Sequence, residues 1–426
     1  MSGGGILSNH RFLVLWTGNG LSLLGISGVR LTYPLVVLAT SGSPAWAGWV
    51  TLCATLPGLL FQVPAGALAD AFNRRQVMII SQVAGLLATV AALWAVTVDS
   101  RWSLTVLMVS AFIEGTAYAV FSIAEVAAIR DVTAEHERAA AYSFYEAEQP
   151  VANLVGRAVA GALYGVGRWL PFAANGVSYL ICAVTLLTCP RRMFDPRAEP
   201  SKPLAGEADS FWSTTLDGLR WTWNVPFLRF STFVTGFANI VFQVLILFFV
   251  VVGTERGYQP WLIGLILASS GVGGVAASFA TAWLDRRLGQ RGTFAAALWV
   301  WAFTLLVIAL TTNPIVLALA WAVAGAGGVV VALVLTMSRL RAVPEAALGK
   351  VVGAASTITD GAVPLGAILA GYLLSVWETS EIGWALFICM LLLAVAGSRN
   401  LARNRRLDAQ HTAPYGSESV GGKNEL

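Results

Sequence analysis

Apolar positions along the chain gather into long runs separated by short polar breaks. A helix crossing about 30 Å of hydrocarbon needs about 20 mostly apolar residues. Twelve runs meet that need, at 12–39, 45–68, 76–98, 102–127, 140–166, 170–189, 227–252, 261–284, 293–312, 314–337, 350–376 and 382–398. The first is too long, and too interrupted by polar residues, for a signal peptide, and no cleavage pattern follows it; retention is expected. The longest polar stretch, 191–225, divides the chain into two six-span halves. Within it Phe211, Trp212, Thr215, Leu216, Leu219 and Trp223 recur at helical spacing, predicting a short amphipathic surface helix. The expected division is a bundle at 1–190, a linker at 191–225, a second bundle at 226–400 and a disordered tail at 401–426.

Polar residues inside the runs also keep helical spacing. Span five carries Tyr142, Glu146, Gln149, Asn153, Arg157 and Tyr164 on one face. Span four carries Glu114, Tyr118, Phe121 and Glu125, and span one Asn19, Ser22, Arg30 and Tyr33. Thr51, Thr55 and Gln62 mark span two, and Thr232, Asn239 and Gln243 mark span seven. Such stripes are what a central water-filled cavity for an amphiphile requires.

Composition agrees with a membrane-embedded chain. Of 426 residues, 57% are hydrophobic and 12% charged, and mean hydropathy is +0.70. A soluble domain carries about 25% charged residues, so soluble enzyme, disordered protein and disulfide scaffold are poor readings. The four cysteines lie in apolar runs without a C-x-x-C pair, and the three histidines lie outside those runs. That argues against a metal site, and no G-x-x-x-x-G-K-[ST] stretch points to bound ATP. Neither cofactor nor metal is expected.

Charge placement predicts orientation. With the N-terminus in the cytoplasm, 22 of the 27 basic residues fall on the cytoplasmic side and three (Arg101, Arg168, Arg256) outside. Arg30 and Arg157 lie within spans. This asymmetry predicts both termini in the cytoplasm. Scattered over separate loops, these residues read topology and lipid headgroups rather than nucleic acid.

The halves are related. Asn9 and Asn224, and Asp70 and Asp285, are each 215 positions apart. Glu135 and Glu345, Gly156 and Gly366, and Gly161 and Gly371 are each 210 apart. Constant offsets in constant order predict a parallel six-plus-six repeat, which transporters use to rock two halves about a central site.

The loop after span two reads Gly66-Ala67-Leu68-Ala69-Asp70-Ala71-Phe72-Asn73-Arg74-Arg75. It resembles the signature loop of the major facilitator superfamily. Leu23-Leu24-Gly25, Gly218-Leu219-Arg220-Trp221, Pro344-Glu345 and Pro364-Leu365-Gly366 also match, and the resemblance spans about residues 9–400. The chain looks like the proton-coupled drug-exporter branch, which includes macrolide-efflux and siderophore-export proteins. The resemblance implies an all-α fold of twelve transmembrane helices in two pseudo-symmetric six-helix bundles. It implies export of a small amphiphile by proton antiport, from a monomer in the bacterial cytoplasmic membrane; uptake of a nutrient or metabolite by symport or facilitation, and a non-transporting receptor or assembly partner, are the alternatives, since spans alone do not read the direction of transport. It also implies a gating latch at Gly66, Asp70, Arg74 and Arg75, echoed at Asp285 and Arg286. Ala71 departs from the family pattern, which usually has a basic residue there, and Arg157 stands where many drug exporters have Pro.

An ionised side chain at a helix centre costs roughly 2.5–3.5 kcal/mol on insertion scales. The chain nevertheless keeps Arg30, Glu114, Glu146, Glu148, Arg157 and Asp360 within spans. Each reads either as a structural partner or as part of a substrate or proton site. The substrate-cavity candidates are Asn19, Arg30, Tyr33, Glu114, Tyr118, Phe121, Gln149, Asn153, Arg157, Asn239 and Gln243. The proton-coupling candidates are Glu114, Glu146 and Asp360. Acids outnumber arginines within the spans, which favours a neutral or cationic amphiphile; Arg30 and Arg157 keep an anionic one open.

Overall fold

The computed structural model describes residues 9–98, 100–190 and 211–411, with Ile6 and Phe194. Among the described residues every regular element is helical. The first half holds α1 (His10–Ser41), α2 (Pro44–Leu60), α3 (Gln62–Ala71), α4 (Arg74–Thr97), α5 (Ser103–Val132), α6 (Arg138–Val166) and α7 (Leu170–Thr188). Then come α8 (Phe211–Asn224), α9 (Pro226–Glu255), α10 (Pro260–Leu310), α11 (Pro314–Ala342), α12 (Glu345–Val376) and α13 (Thr379–His411).

Local chemistry sets many helix ends. The Asn9 and Asn73 side chains accept from the Phe12 and Gln76 amides, capping α1 and α4. Pro44, Pro226, Pro260 and Pro314 stand at first helical positions, where no amide donor is needed. Gly42 ends α1 at φ 65°, a left-handed conformation that glycine adopts without strain.

Ten helical segments are long and apolar enough to cross a membrane, and eleven if the bent pair α2–α3 counts as one. The remaining long helix, α6, has the length but carries the charged stripe of Glu146, Glu148 and Arg157. The protein is a multi-pass membrane protein. Large apolar side chains such as Ile80, Leu87, Phe279 and Phe303 stand exposed on its surface, as lipid contact requires.

One predicted span differs in form. The run 45–68 is not one straight helix: it bends by 56° between α2 and α3. Pro64 has no amide to bond the Leu60 carbonyl, which breaks the ladder there. The runs 261–284 and 293–312 are two successive spans within α10. The helical path breaks between them at Gly289, with φ 67° and ψ 165°. The predicted surface helix is present as α8, and α13 continues to His411, into the stretch expected to be disordered. Residues 412–426 and most of 191–210 lie outside the described residues.

Packing separates two bundles. In the first, α1 packs on α6 and α7, and α4 on α5 and α7. In the second, α9 packs on α12, and α10 on α11 and α13. The bundles meet where α6 crosses α10 and α2 crosses α12, so the second and fifth spans of each half exchange partners. Both crossings close on paired glycines. A Cβ built on Gly161 would lie 3.0 Å from the Gly264 Cα, and one on Gly48 would lie 2.8 Å from the Gly371 Cα. Each of these glycines sits within two turns of a helix end on the side away from the chain termini, called here the far face. The halves are thus pinned together at that face.

Candidate functional site

Between the bundles lies a cavity of about 510 Å³. Its polar lining is Arg30, Thr55, Gln62, Tyr118, Ser122, Gln149 and Asp360. Leu59, Ala119, Ile123 and Val363 supply apolar wall. The kink at Pro64 bends α3 away just below Gln62, at the end of this wall. Both halves contribute: Arg30 comes from α1, Tyr118 from α5, Gln149 from α6 and Asp360 from α12. The Arg30 guanidinium lies 4.4 Å from the centre of the Tyr118 ring, a cation–π contact. The Tyr118 hydroxyl accepts a hydrogen bond from Gln149. The Asp360 carboxylate is exposed to the cavity and accepts one long bond, 3.4 Å, from the neighbouring Thr359 hydroxyl.

Three of the residues expected in the cavity line it, and a fourth ties the two halves together elsewhere. Arg30, Tyr118 and Gln149 line it, and Arg157 donates to the Leu267 carbonyl at 3.3 Å, tying α6 to α10 across the halves. Asn239 donates to the Thr359 carbonyl at 2.8 Å and so holds the backbone beside Asp360. Gln243 is buried, its Cβ against Gly366. Asn153 is half-buried on α6, and Glu146 is exposed there; neither is in the cavity lining.

The other four turn into the first bundle. Asn19 donates to the Glu125 carboxylate at 2.7 Å, and both are buried. Tyr33 packs edge-on against Phe172 at 5.2 Å. Phe121 is buried in an apolar cluster with Phe12 and Met78. Glu114, 6% exposed, accepts from the Thr89 hydroxyl and, at 3.5 Å, from the Asn175 amide. Asn175 also donates to Thr89 at 3.1 Å, completing a triad from α4, α5 and α7. For Asn19 and Glu114 the physical reason is shared: a buried polar group needs a partner, and theirs lie inside the bundle; Tyr33 and Phe121 are held there by ring and apolar packing. Thr89 and Asn175 escape a reading whose stripes lie on other spans; the signal that could find them is the set of buried polar residues on α4 and α7, which also includes Gln82 and Ser178.

The loop between α3 and α4 is built differently from a closed latch. Asp70 is exposed at the end of α3, and a Cβ on Gly66 would meet open space. Arg74 pairs with Asp131 of α5 at 2.6 Å. Arg75 donates to the Leu186 and Leu187 carbonyls at 2.6 and 2.8 Å, capping the end of α7. The two arginines expected to compensate Asp70 are therefore engaged within their own bundle. In the second half Asp285 is half-buried, Arg286 is exposed, and Arg287 lies 4.6 Å over the Trp283 ring. Among the described residues no group of three His, Cys, Asp or Glu side chains converges to hold a metal ion.

Known proteins share this arrangement. The multidrug efflux pump Tap of Mycolicibacterium fortuitum is 28% identical over 411 residues, covering 93% of this chain and 95% of that protein. A bacterial homologue of the iron transporter ferroportin, solved in an inward-facing state, superposes with a TM-score of 0.72 at 16% identity, covering 93% of this chain and all of that one. The nucleoside transporter NupG superposes at 0.71 with 15% identity, covering 92% and 99%. The sequence profile of the Major Facilitator Superfamily matches residues 15–289 and again 230–414. Two bundles of like sequence around one shared cavity are thus accounted for: this chain belongs to the Major Facilitator Superfamily, a family of transporters and not of enzymes.

Proposed function

We propose that the protein exports a small amphiphile across a bacterial cytoplasmic membrane by proton-coupled alternating access. The observation that carries this reading is the cavity between the halves, closed at the far face by glycine contacts and holding a lone ionisable carboxyl, Asp360. The resemblance to an efflux pump over nearly its whole length supports the direction of transport. The 22-to-3 placement of basic residues supports cytoplasmic termini. On that orientation the cavity is poised to take substrate from the cytoplasm. The working unit is a monomer: two bundles at 1–190 and 226–400 rock about the site, with 191–225 as the tether.

Of the three carboxyls expected to carry protons, Asp360 is the one in the cavity wall. A carboxyl facing both water and an apolar wall can be neutral in one state and ionised in the other. Substrate and proton compete for it, which makes the exchange obligatory. The test is transport into inverted membrane vesicles driven by an imposed pH gradient. Asp360→Asn is expected to lose gradient-driven accumulation while retaining energy-independent exchange of labelled for unlabelled substrate. Gradient-driven accumulation at the wild-type rate in that variant overturns the proton assignment. Accumulation of substrate by intact cells, instead of depletion, overturns export.

A further inference from the structure

We propose that the cavity's ligand is a zwitterionic amphiphile, with an oxyanion held by Arg30 and a cationic donor facing Asp360. The inference rests on the export reading and names its substrate class.

In sequence, acids outnumber arginines within the spans. In the structure they are sorted. Glu114, Glu125 and Glu148 are buried within the first bundle, each no more than 7% exposed. What remains in the cavity is one cation, Arg30, and one anion, Asp360. They come from opposite halves, α1 and α12.

Neither forms an ion pair within 4 Å among the described residues, although Glu114 acts on Arg30 and Arg339 on Asp360 from farther away. No carboxylate lies within 4 Å of Arg30 among the described residues, and its five N–H donors find no acceptor there. Its close contact is the face of Tyr118, worth roughly 0.5–1 kcal/mol at an exposed site. Glu114 stands behind it, already bonded by Thr89 and Asn175. Arg157 adds a second positive charge near enough to be felt at Arg30. An oxyanion at that end would give the guanidinium the charge-assisted bonds it lacks. Asp360 likewise has only the long Thr359 bond, with Arg339 of α11 acting on it from beyond ion-pair distance. An ammonium or other cationic donor fits there.

The same pair sets exclusion. A simple cation gains at Asp360 and is repelled by Arg30; a simple anion meets the reverse. Leu59, Ile123 and Val363 provide the apolar contact an amphiphile needs. A cavity of about 510 Å³ lies inside the usual range of about 300–1,000 Å³ for drug-sized ligands. A zwitterion seated this way touches both halves at once, linking its binding to their relative position.

Three probes of one skeleton separate the possibilities. N-ε-dansyl-lysine is the zwitterion. Dansylcadaverine is the same molecule without its carboxylate, and 6-(dansylamino)hexanoic acid lacks the amine. Fluorescence titration of the full-length protein in nanodiscs is expected to give dansyl-lysine at least tenfold tighter binding than either. Arg30→Gln should erase its advantage over dansylcadaverine, and Arg30→Lys should keep part of it. Asp360→Asn should erase the advantage over the acid. Equal or tighter wild-type binding of dansylcadaverine overturns the proposal, as does binding of none of the three up to millimolar concentration. The wild-type ratio decides the matter even where a variant fails to fold. A preference for the cation with intact gradient-driven efflux overturns the zwitterion and leaves export standing. The zwitterion preference without efflux sustains the site and overturns export.

Discussion

Adding a single methyl group at Gly161 tests whether the far-face crossings hold one conformation of the transporter. A Cβ there would lie 2.8 Å from the Pro260 carbonyl oxygen and 3.0 Å from the Gly264 Cα. Both are backbone atoms, so no rotamer change relieves the contact. Ordinary Cβ contacts begin near 3.4 Å, so α6 and α10 must part by several tenths of an ångström. Overpacking of this kind costs about 1–3 kcal/mol. The cost falls only on the state in which the two helices cross here. A two-state equilibrium would therefore shift about 5- to 150-fold toward the state open at the far face. The assay is labelling of Gln62→Cys, in the cavity wall, in a background lacking Cys53, Cys182, Cys189 and Cys389. Membrane-impermeant maleimide is applied from either side of oriented vesicles. Gly161→Ala should slow labelling from the side of the termini and speed it from the far side, and Gly161→Val should do so more strongly. Thermal stability should fall less than the full contact cost, because the other state escapes the clash. Unchanged labelling from both sides, with the variant correctly inserted, would refute the reasoning.

The same construction predicts that Gly371→Ala, whose Cβ would lie 2.9 Å from the Gly48 Cα, shifts labelling in the same direction. Glu114→Gln should melt near wild type, because the amide still accepts from Thr89; Glu114→Ala leaves the Thr89 hydroxyl without its acceptor, while Asn175 keeps its bond to Thr89, and should cost roughly 1–3 kcal/mol, read as a lower melting temperature in detergent. Asn19→Leu removes the donor to buried Glu125 and should destabilise by a similar roughly 1–3 kcal/mol, without changing ligand preference among the dansyl probes. Arg74→Gln breaks the half-buried pair with Asp131 and should loosen α4 from α5, seen as faster proteolysis of the loop at Phe72. Asp70→Asn should leave labelling from the side of the termini unchanged in the conformation described here, where Asp70 is exposed, and should raise it in a preparation driven toward the far-open state.

Fold was legible because the membrane restricts what an apolar run can be. Backbone groups in hydrocarbon must pair within their own segment, so runs of about 20 residues become helices. The offsets of 215 and 210 then predicted two like halves, and α6–α10 and α2–α12 crossings follow that symmetry. What the pattern missed is local. Pro64 breaks span two because a proline just after Gln62 reads as tolerable in any hydropathy profile. Between the two spans of α10 the connection is tighter than a polar loop, because a single residue of positive φ, Gly289, breaks the helical path. At the site, helical spacing grouped Arg30, Tyr118 and Gln149, which line one cavity in the structure. It also placed Asn19, Tyr33 and Glu114 with them, because α1 and α5 are buried on more than one face. A polar stripe shows that a face has partners; it does not show whether they are water or another side chain.

That ambiguity resolves through satisfaction rather than position. In a low-dielectric bundle a polar group without a partner is costly, so structural residues reveal themselves by having one. Glu125 has Asn19, and Glu114 has Thr89 and Asn175. Arg74 has Asp131, and Arg75 has the end of α7. These pairings close within one bundle, so they persist while the bundles move as bodies. Arg30 and Asp360 differ on both counts: neither has an ion pair within 4 Å among the described residues, and they belong to different bundles. Both charges stand exposed to the cavity, where water solvates them while it is empty. On the proposed cycle, a ligand that reaches Arg30 and Asp360 together gains charge-assisted bonds only while the two bundles hold both within its reach, so its binding depends on their relative position. The pairs inside the bundles, already satisfied, are indifferent to that position.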